Sequence, residues 1–561
     1  MNRDNKERTA GKLYTLMIVV MAVGLLVSCR EKAEEKAIFS GQMAPLLEGM
    51  GDHHFNVSLK DTLAVKYFNQ GIMLAYGFNH KEAERSFRQV AELEPDHPMS
   101  WWGVALVQGP NLNLPMQPAA VSVAWEAVQK ARKLQANGTQ RERDYIEALS
   151  QRYASDPPED RGQLDEAYAE AMGKLAKKYP DDMDAQVLHA EALMDLHPWD
   201  FWTKEGVARP WTPGILERLE YVIGRNPEHP MANHLYIHAT EASPNPEKAL
   251  ESARRLGHAV PGAGHLVHMP AHTYIRVGMY YEGTLANQLA VESDNQYVAQ
   301  CHQQGMYPLG YIPHNHHFLW ATATLEGRKQ LSLEAAKSTF ERVDTLMMRE
   351  PGMGLLQHFW SIPLYGYVRF GEWDQIMSHP KPDRQLLYPR GVWHYARDMA
   401  YIAGNELEKA KGELSELKAI AAEESLEDVI IMNSAKDLMK IAVLILEGEV
   451  AAAGKNYETA VALLTEAVEI EDRLRYNEPP DWFFPARHNL GAMLLESGQA
   501  TMAEQVYRDD LKEFPKNGWA LFGLHQSLIA QGRDAEAAKV KAGFNEAWKH
   551  ADIRLTSSRI L

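Results

Sequence analysis

A spacing pattern that recurs near both ends of the chain constrains its fold more than any other feature. Four residues stand at positions 8, 20, 24 and 32 of the 34-residue window 64–97, namely Gly71, Ala83, Phe87 and Pro95. The same spacing returns near the C-terminus with Gly491, Ala503, Tyr507 and Pro515. Because apolar residues also recur at helical spacing between these positions, the sequence predicts paired helices.

This spacing resembles the tetratricopeptide repeat (TPR), in which small residues let two antiparallel helices touch and a proline ends the second. A third window matches at Gly448, Ala460 and Ala467, whereas windows starting at Met183, Pro230 and Gly264 fit less closely. The resemblance implies an all-α, TPR-type α-solenoid, with helix–turn–helix repeats forming a superhelix. Each repeat of such an array buries its apolar face against its neighbours.

Composition narrows the possible partners. The chain has 561 residues, 45% of them hydrophobic and 24% charged, which is ordinary for a folded protein. Its formal net charge is -17. Without an excess of Lys and Arg there is little to neutralise phosphates, so no nucleic-acid partner is expected.

The N-terminus has the pattern of an export signal. Four Lys or Arg residues within 1–12 precede a sixteen-residue uncharged run at 13–28, and Cys29 directly after it completes "LVSC", residues 26–29. The run is short for a membrane span, and its end resembles the bacterial lipobox. That resemblance implies lipidation of Cys29, anchoring at a membrane and a place in the bacterial cell envelope. Arg30 in place of Asp favours the outer membrane. An uncleaved anchor is the alternative.

These features divide the chain into five predicted segments. They are a lipoprotein signal peptide at 1–28, a lipidated lead-in at 29–55, N-terminal repeats at 56–182, His-rich degenerate repeats at 183–330 and C-terminal repeats at 331–561. Cys301 is the only cysteine besides Cys29, so no disulfide framework is expected.

The histidines of the central repeats recur in register. His234 and His268 are 34 residues apart, as are His238 and His272. In the TPR family, positions 2, 5, 9 and 12 of the first helix line the concave groove. His234, His238 and Glu241 hold three of these positions in one window, and His265, His268 and His272 hold three in the next.

Residues i, i+4 and i+7 share one helical face, so the two stripes can converge in the groove. Glu191 falls in the same row on the preceding first helix, and His314 or His317 on the following one. Imidazoles with one or two carboxylates suit Zn, Fe or Cu. The pattern predicts a metal site, with Glu241 or Glu191 as a candidate base.

Other interpretations of the cluster stay open. The histidines could hydrogen-bond a ligand or form a structural polar network. Pro270 could delay the helix start to Met269, which would leave His265 and His268 on a loop. An aromatic insertion at 197–214 either lines the groove or fills a gap between repeats. The candidate groove aromatics are Trp199, Trp202, Tyr236 and Tyr274.

Over residues 60–320 the chain resembles a group of bacterial TPR proteins. The shared stretches are "FNQGIMLAYGFNHKEAERSF", "GPNLN", "NHLYIHATEAS", "GAGHLVHMPAHTYIRVG" and "PHNHHF". The resemblance implies the fold and the setting but no reaction. Two functions are therefore expected: a metal-dependent role in the groove, or a scaffold that binds an envelope protein or peptide there.

Overall fold

The computed structural model describes residues 43–300 and 305–561, and this part of the chain is helical. It contains no β-strand, only isolated bridges such as the one between Trp202 and Ala208. Within the same ranges no helix has the length and apolarity that crossing a membrane requires. The predicted signal peptide, Cys29 and the first part of the lead-in lie outside the described residues.

The chain divides into two compact units. The first unit comprises the described residues of 43–273 and 286–312, and the second comprises 274–285 and 313–561. Helices α1 to α13 are Thr62–Tyr76, His80–Leu93, Pro98–Leu106, Ala120–Leu134, Gln140–Ser150, Gly162–Lys178, Met183–Asp195, Thr212–Arg225, Pro230–Glu241, Leu250–Ala259, Gly264–His268, Pro270–Arg276 and Tyr280–Gln300. One π-helical turn, Tyr307–Tyr311, follows in the first unit.

The second unit is also helical. Helices α14 to α25 are Ile312–Leu325, Lys329–Glu341, Gly354–Phe370, Trp373–Ser378, Leu387–Ala403, Leu407–Ala421, Ala435–Ala453, Tyr457–Glu471, Ala486–Glu496, Ala500–Glu513, Gly518–Ala530 and Asp534–Ala547. Within each unit, consecutive helices pack on one another. The predicted all-α, TPR-type solenoid of helix–turn–helix repeats is confirmed.

The repeat residues perform the packing that their spacing predicts. Phe87 on α2 is fully buried, and its ring lies against Gly71 of α1 and Gly103 of α3. A Cβ atom at either glycine would overlap the ring. In the second unit the Tyr507 ring fits between Gly491 and Gly523 in the same way. In each unit, an aromatic ring held between two glycines thus packs three consecutive helices together.

Side-chain caps fix where several helices of the first unit begin. Asp61 accepts hydrogen bonds from the first turn of α1, and Asp182 caps α7. His97 and His229 each cap a helix that continues with proline, at α3 and α9. Proline is favoured at the first helical position because the N–H it lacks would have no partner there. His229 therefore has a structural role, although it lies in the His-rich stretch.

Candidate metal centre

Six polar residues of the first unit come together from three helices. His234, His238 and Glu241 lie on α9, His265 and His268 on α11, and His272 on α12. Each is at most 4% exposed. The stripes that the sequence places one repeat apart do converge, and they form a buried cluster. We call these six residues the His–Glu cluster.

Pro270 divides the second stripe into two short helices. Helix α11 covers Gly264–His268 and α12 begins at Pro270, so His265 and His268 are helical. The alternative in which the helix starts at Met269 and leaves them on a loop is wrong. The backbone N–H of Met269 still donates to His265, and that of His272 donates to Met269. The helix is interrupted because proline has no N–H to donate.

Four imidazoles of the cluster are oriented through Nδ1. His234 Nδ1 lies 2.7 Å from the carbonyl oxygen of Tyr76, which α1 brings beside α9. His268 Nδ1 lies 2.7 Å from the side-chain oxygen of Asn287. His238 and His272 point Nδ1 at Glu241, at 3.1 and 2.6 Å. Since the partners of His234, His238 and His268 are acceptor oxygens, Nδ1 of these three rings carries the proton. Burial lowers the pKa of all three imidazoles, so the rings are neutral and each keeps a lone pair on Nε2.

Glu241 supports two of these rings at once. Its Oε1 accepts from His238, and its Oε2 lies 2.6 Å from Nδ1 of His272. Burial alone would raise the pKa of this carboxyl, but the facing imidazoles of His272 and His238 hold it at about 2. The structure therefore places an ionised carboxylate behind the imidazoles, on their Nδ1 side.

Ring nitrogens from the two stripes converge. One ring nitrogen each of His234, His238 and His265 lies within 4.8 Å of the other two. Nε2 of His234 and of His238 is buried and has no hydrogen-bond partner among the described residues. Burial lowers the pKa of both imidazoles, that of His234 far below its usual value. Both rings are thus neutral and able to donate to a cation.

Two aromatic residues in a strained conformation flank the imidazoles. Phe78, just after α1, has φ +58°, and Trp199, in the aromatic insertion, has φ +61°. The ring centroid of Phe78 lies 4.7 Å from that of His234, and the Trp199 ring meets His238 edge-on at 5.2 Å. Left-handed backbone at a bulky residue costs about 1–3 kcal/mol and concentrates at functional sites.

A hydrogen-bonded chain fixes His265. Its backbone N–H donates to the Tyr307 hydroxyl, which donates to Asp294 on α13. The π-helical turn also presents Tyr311, whose ring packs edge-on against the imidazole of His265 at 4.7 Å. Gly264 is required here because a Cβ atom would overlap the Asp294 carboxylate.

The other predicted site residues are carried by other helices. Glu191 is buried on α7, where burial raises its pKa to about 7 against the effect of Arg152. His314 and His317 are on α14 in the second unit, where the ring of His317 contacts Trp320, His358 and Phe359.

The four predicted groove aromatics belong to different parts of the structure. Trp202 donates its indole N–H to the Ala239 carbonyl, and the Tyr236 hydroxyl donates to Glu220 on α8. Tyr274 is half-buried and belongs to the second unit. Trp199 contacts the imidazole of His238.

A second polar group in the first unit was not predicted from the sequence. Asp184 Oδ1 accepts from His53 at 2.9 Å and from Tyr76 at 2.7 Å, beside a cleft of about 840 Å³. His229 Nε2 lies 3.4 Å from the same oxygen. Because its Nδ1 accepts from the Ala232 N–H, His229 presents a proton here and not a lone pair. The His-Pro pairs at 97–98 and 229–230 were the available signal for this capping role.

Comparison with known proteins finds solved structures that resemble this chain at low similarity. No protein-family model and no curated sequence matches the chain. Human IFIT1, as a dimer with m7Gppp-AAAA, is 12% identical over 89% of this chain and 92% of that one, with a TM-score of 0.30. Cut9–Hcn1 of the APC/C is 10% identical over 87% and 94%, with a TM-score of 0.26. The TPR domain of P58(IPK) is 10% identical over 84% and 99%, with a TM-score of 0.22.

Proposed function

We propose that the chain binds a transition-metal ion through His234, His238 and His265. The observation that carries this proposal is the shared orientation of the imidazoles. His234 and His238 donate from Nδ1 to fixed oxygens and keep buried Nε2 atoms without a hydrogen-bond partner. One ring nitrogen of each lies within 4.8 Å of the other and of one in His265. Metal-ligating histidines almost always show this arrangement, in which the outer acceptor sets the tautomer.

Charge supports the same assignment. Glu241 is ionised at neutral pH and fully buried, whereas burial keeps His234 and His238 neutral. A buried carboxylate costs several kcal/mol unless a positive charge compensates it. A cation bound by the imidazoles would add positive charge near this carboxylate, which His272 and His238 already stabilise. In this proposal Glu241 holds two rings in place. It is neither a metal ligand nor a base.

The donor set indicates the metal class. Three neutral imidazoles suit Zn, Fe or Cu, whereas Mg and Ca prefer oxygen ligands. A site with three protein ligands leaves a position for water or substrate, as in catalytic zinc centres. The site thus supports metal-dependent catalysis or metal capture. Phe78 and Trp199 form apolar walls beside it and limit the access of water.

Elemental analysis of the full chain, purified without a polyhistidine tag or chelator, tests this function. We expect about one equivalent or more of Zn, Fe or Cu per chain. His238→Gln should lower the metal content at least about tenfold because it removes a ligand, and circular dichroism should show retained helicity. His258→Gln, at an exposed position of the first unit, is the matched control.

Background metal in the unaltered chain, before and after incubation with Zn²⁺, Fe²⁺ and Cu²⁺, would overturn the proposal. The histidines would then be the polar network of a scaffold for an envelope protein or peptide. Equal metal loss in the His258→Gln control would show that the metal binds elsewhere.

We also propose that the metal site is displayed from a membrane through lipid on Cys29. The supports are the charged N-terminus, the apolar run and the lipobox-like "LVSC". A labelled fatty acid fed to a Gram-negative host should be incorporated into the chain and lost in Cys29→Ser, whereas Cys301→Ser should keep it. Unlabelled protein, or label retained by Cys29→Ser, would contradict the anchor.

A further inference from the structure

The segment that follows the last helix lies across other helices of the second unit. We call residues 552–561 the terminal segment. Asp552 accepts hydrogen bonds from the first two backbone N–H groups of α15, at 2.6 and 3.0 Å. Ile560 lies against Gly371, which follows α16. Leu555 is buried in an aromatic cluster formed by Phe370, Trp519, Phe522 and Phe544.

Ser558, in the middle of these contacts, is 1% exposed. Its Oγ donates to the carbonyl oxygen of His488 on α22 at 2.7 Å and lies 2.7 Å from the Tyr507 hydroxyl on α23. Its carbonyl oxygen accepts from the guanidinium of Arg369 on α16 at 3.2 Å. Three helices thus form a groove around this serine.

Arg559 places its guanidinium between two carboxylates. Nη2 donates to both oxygens of Glu496 on α22 at 2.7 Å, and Nη1 donates to Glu449 on α20. Glu449 is 1% exposed, and its other oxygen accepts from Asn489 at 2.9 Å. Removing one partner of a buried ion pair is strongly destabilising, so Glu449 requires a cation at this position. We call the surface around Ser558 and Arg559 the arginine groove.

Side chains hold the terminal segment in this groove. Residues 552–561 form no helix and no strand. The backbone of the segment bonds to other backbone at Asp552, whose N–H donates to Gly327 at 3.2 Å. A segment of this kind opens at a lower free energy than the helices around it. Because α20 packs on α22 and α22 on α23, we expect the groove to keep its shape when the segment leaves.

We propose that the arginine groove binds an extended, arginine-bearing segment of another protein, and that the terminal segment fills it as an internal ligand when no partner is bound. Departure of Arg559 leaves the buried carboxylate of Glu449 unpaired, so a partner that lacks a cation is rejected. Arginine is favoured over lysine because its planar guanidinium also makes the two-pronged contact with Glu496. The partner therefore carries the chemistry of residues 554–561, an aliphatic residue, a small hydroxyl residue and an arginine.

Fluorescence polarisation with a labelled peptide that copies residues 554–561 tests the proposal. The unaltered chain should bind it weakly, because the tethered internal copy competes at an effective concentration on the order of mM. Arg559→Gln in the full chain weakens the internal copy, so this variant should bind the peptide at least about tenfold more tightly. Arg554→Gln, at an exposed position, is the matched control and should behave like the unaltered chain.

A second variant and two altered peptides separate the arginine from the rest of the segment. Ile560→Ser in the chain weakens the internal copy without leaving Glu449 unpaired, and it should also bind the peptide more tightly. The peptide with Arg559→Gln should bind either variant at least about tenfold more weakly, whereas the peptide with Arg554→Gln should bind as the original does. Circular dichroism shows whether each variant is folded.

Absence of peptide binding by the folded variants would overturn the proposal. Loss of helicity in both would also overturn it, since the segment would then be a fixed part of the fold. Equal binding of the original and the Arg559→Gln peptide would remove the role assigned to arginine. A dimer of the unaltered chain by light scattering, dissociated by the peptide, would make the segment of a second copy the occupant and overturn the separate partner.

Discussion

Replacing Phe87 with alanine should lower the free energy of unfolding by about 3–5 kcal/mol, the usual cost of deleting a fully buried phenylalanine ring. The cost should lie at the upper end because glycines flank the ring. Gly71 and Gly103 have no side chains that could move into the space, so the cavity stays open. Loss of this ring separates α1, α2 and α3 at the place where the repeat spacing is clearest.

Denaturant unfolding of the full chain, combined with hydrogen exchange in α1 to α3, measures this effect. Val207→Ala is the control, since Val207 is 61% exposed and its loss should change stability by about 0.5 kcal/mol or less. A Phe87→Ala protein with unchanged protection in these helices would contradict the packing described here.

Glu241→Gln should weaken metal binding by about 10- to 100-fold, the usual effect of removing an outer-shell partner. In glutamate one oxygen accepts from His238 and the other lies against Nδ1 of His272, whereas glutamine offers one oxygen and one N–H donor. One of His238 and His272 must therefore lose its acceptor and turn or change tautomer. The substitution also removes the buried negative charge that favours a cation.

Competition with a chromophoric chelator measures the affinity. Glu191→Gln is the matched control, because it changes another buried glutamate of the first unit without touching the imidazoles' acceptors. Unchanged zinc affinity in Glu241→Gln, with normal affinity in the control, would show that this carboxylate does not orient metal ligands.

The histidine register could be predicted from the sequence because it depends on local periodicity. A 34-residue repeat places equivalent positions on equivalent helices, so His234 with His268, and His238 with His272, were expected to come together. The same periodicity identified Gly71, Phe87 and Tyr507 as packing residues. In each case the information lies within one or two turns of the helix or one repeat.

The orienting contacts could not be predicted because they join distant parts of the chain. The Tyr76 carbonyl, which fixes His234, lies 158 residues away in sequence, and a backbone oxygen leaves no signature. Asn287 reaches His268 from a helix whose repeat register was not recognised. Pro270 left two alternatives open because proline both begins and interrupts helices. The structure resolves this with two short helices.

The left-handed turn at Phe78 offers a way to recognise proteins with this centre. A turn residue with positive φ is ordinarily Gly, Asn or Asp, so drift under selection for stability alone should replace phenylalanine there. A large aromatic residue just after the first repeat helix, with paired histidines one repeat apart downstream, is therefore the sequence pattern expected of chains that share the proposed metal site. Where the histidines persist and the aromatic residue has become glycine, the backbone has relaxed and the wall beside the imidazoles is gone.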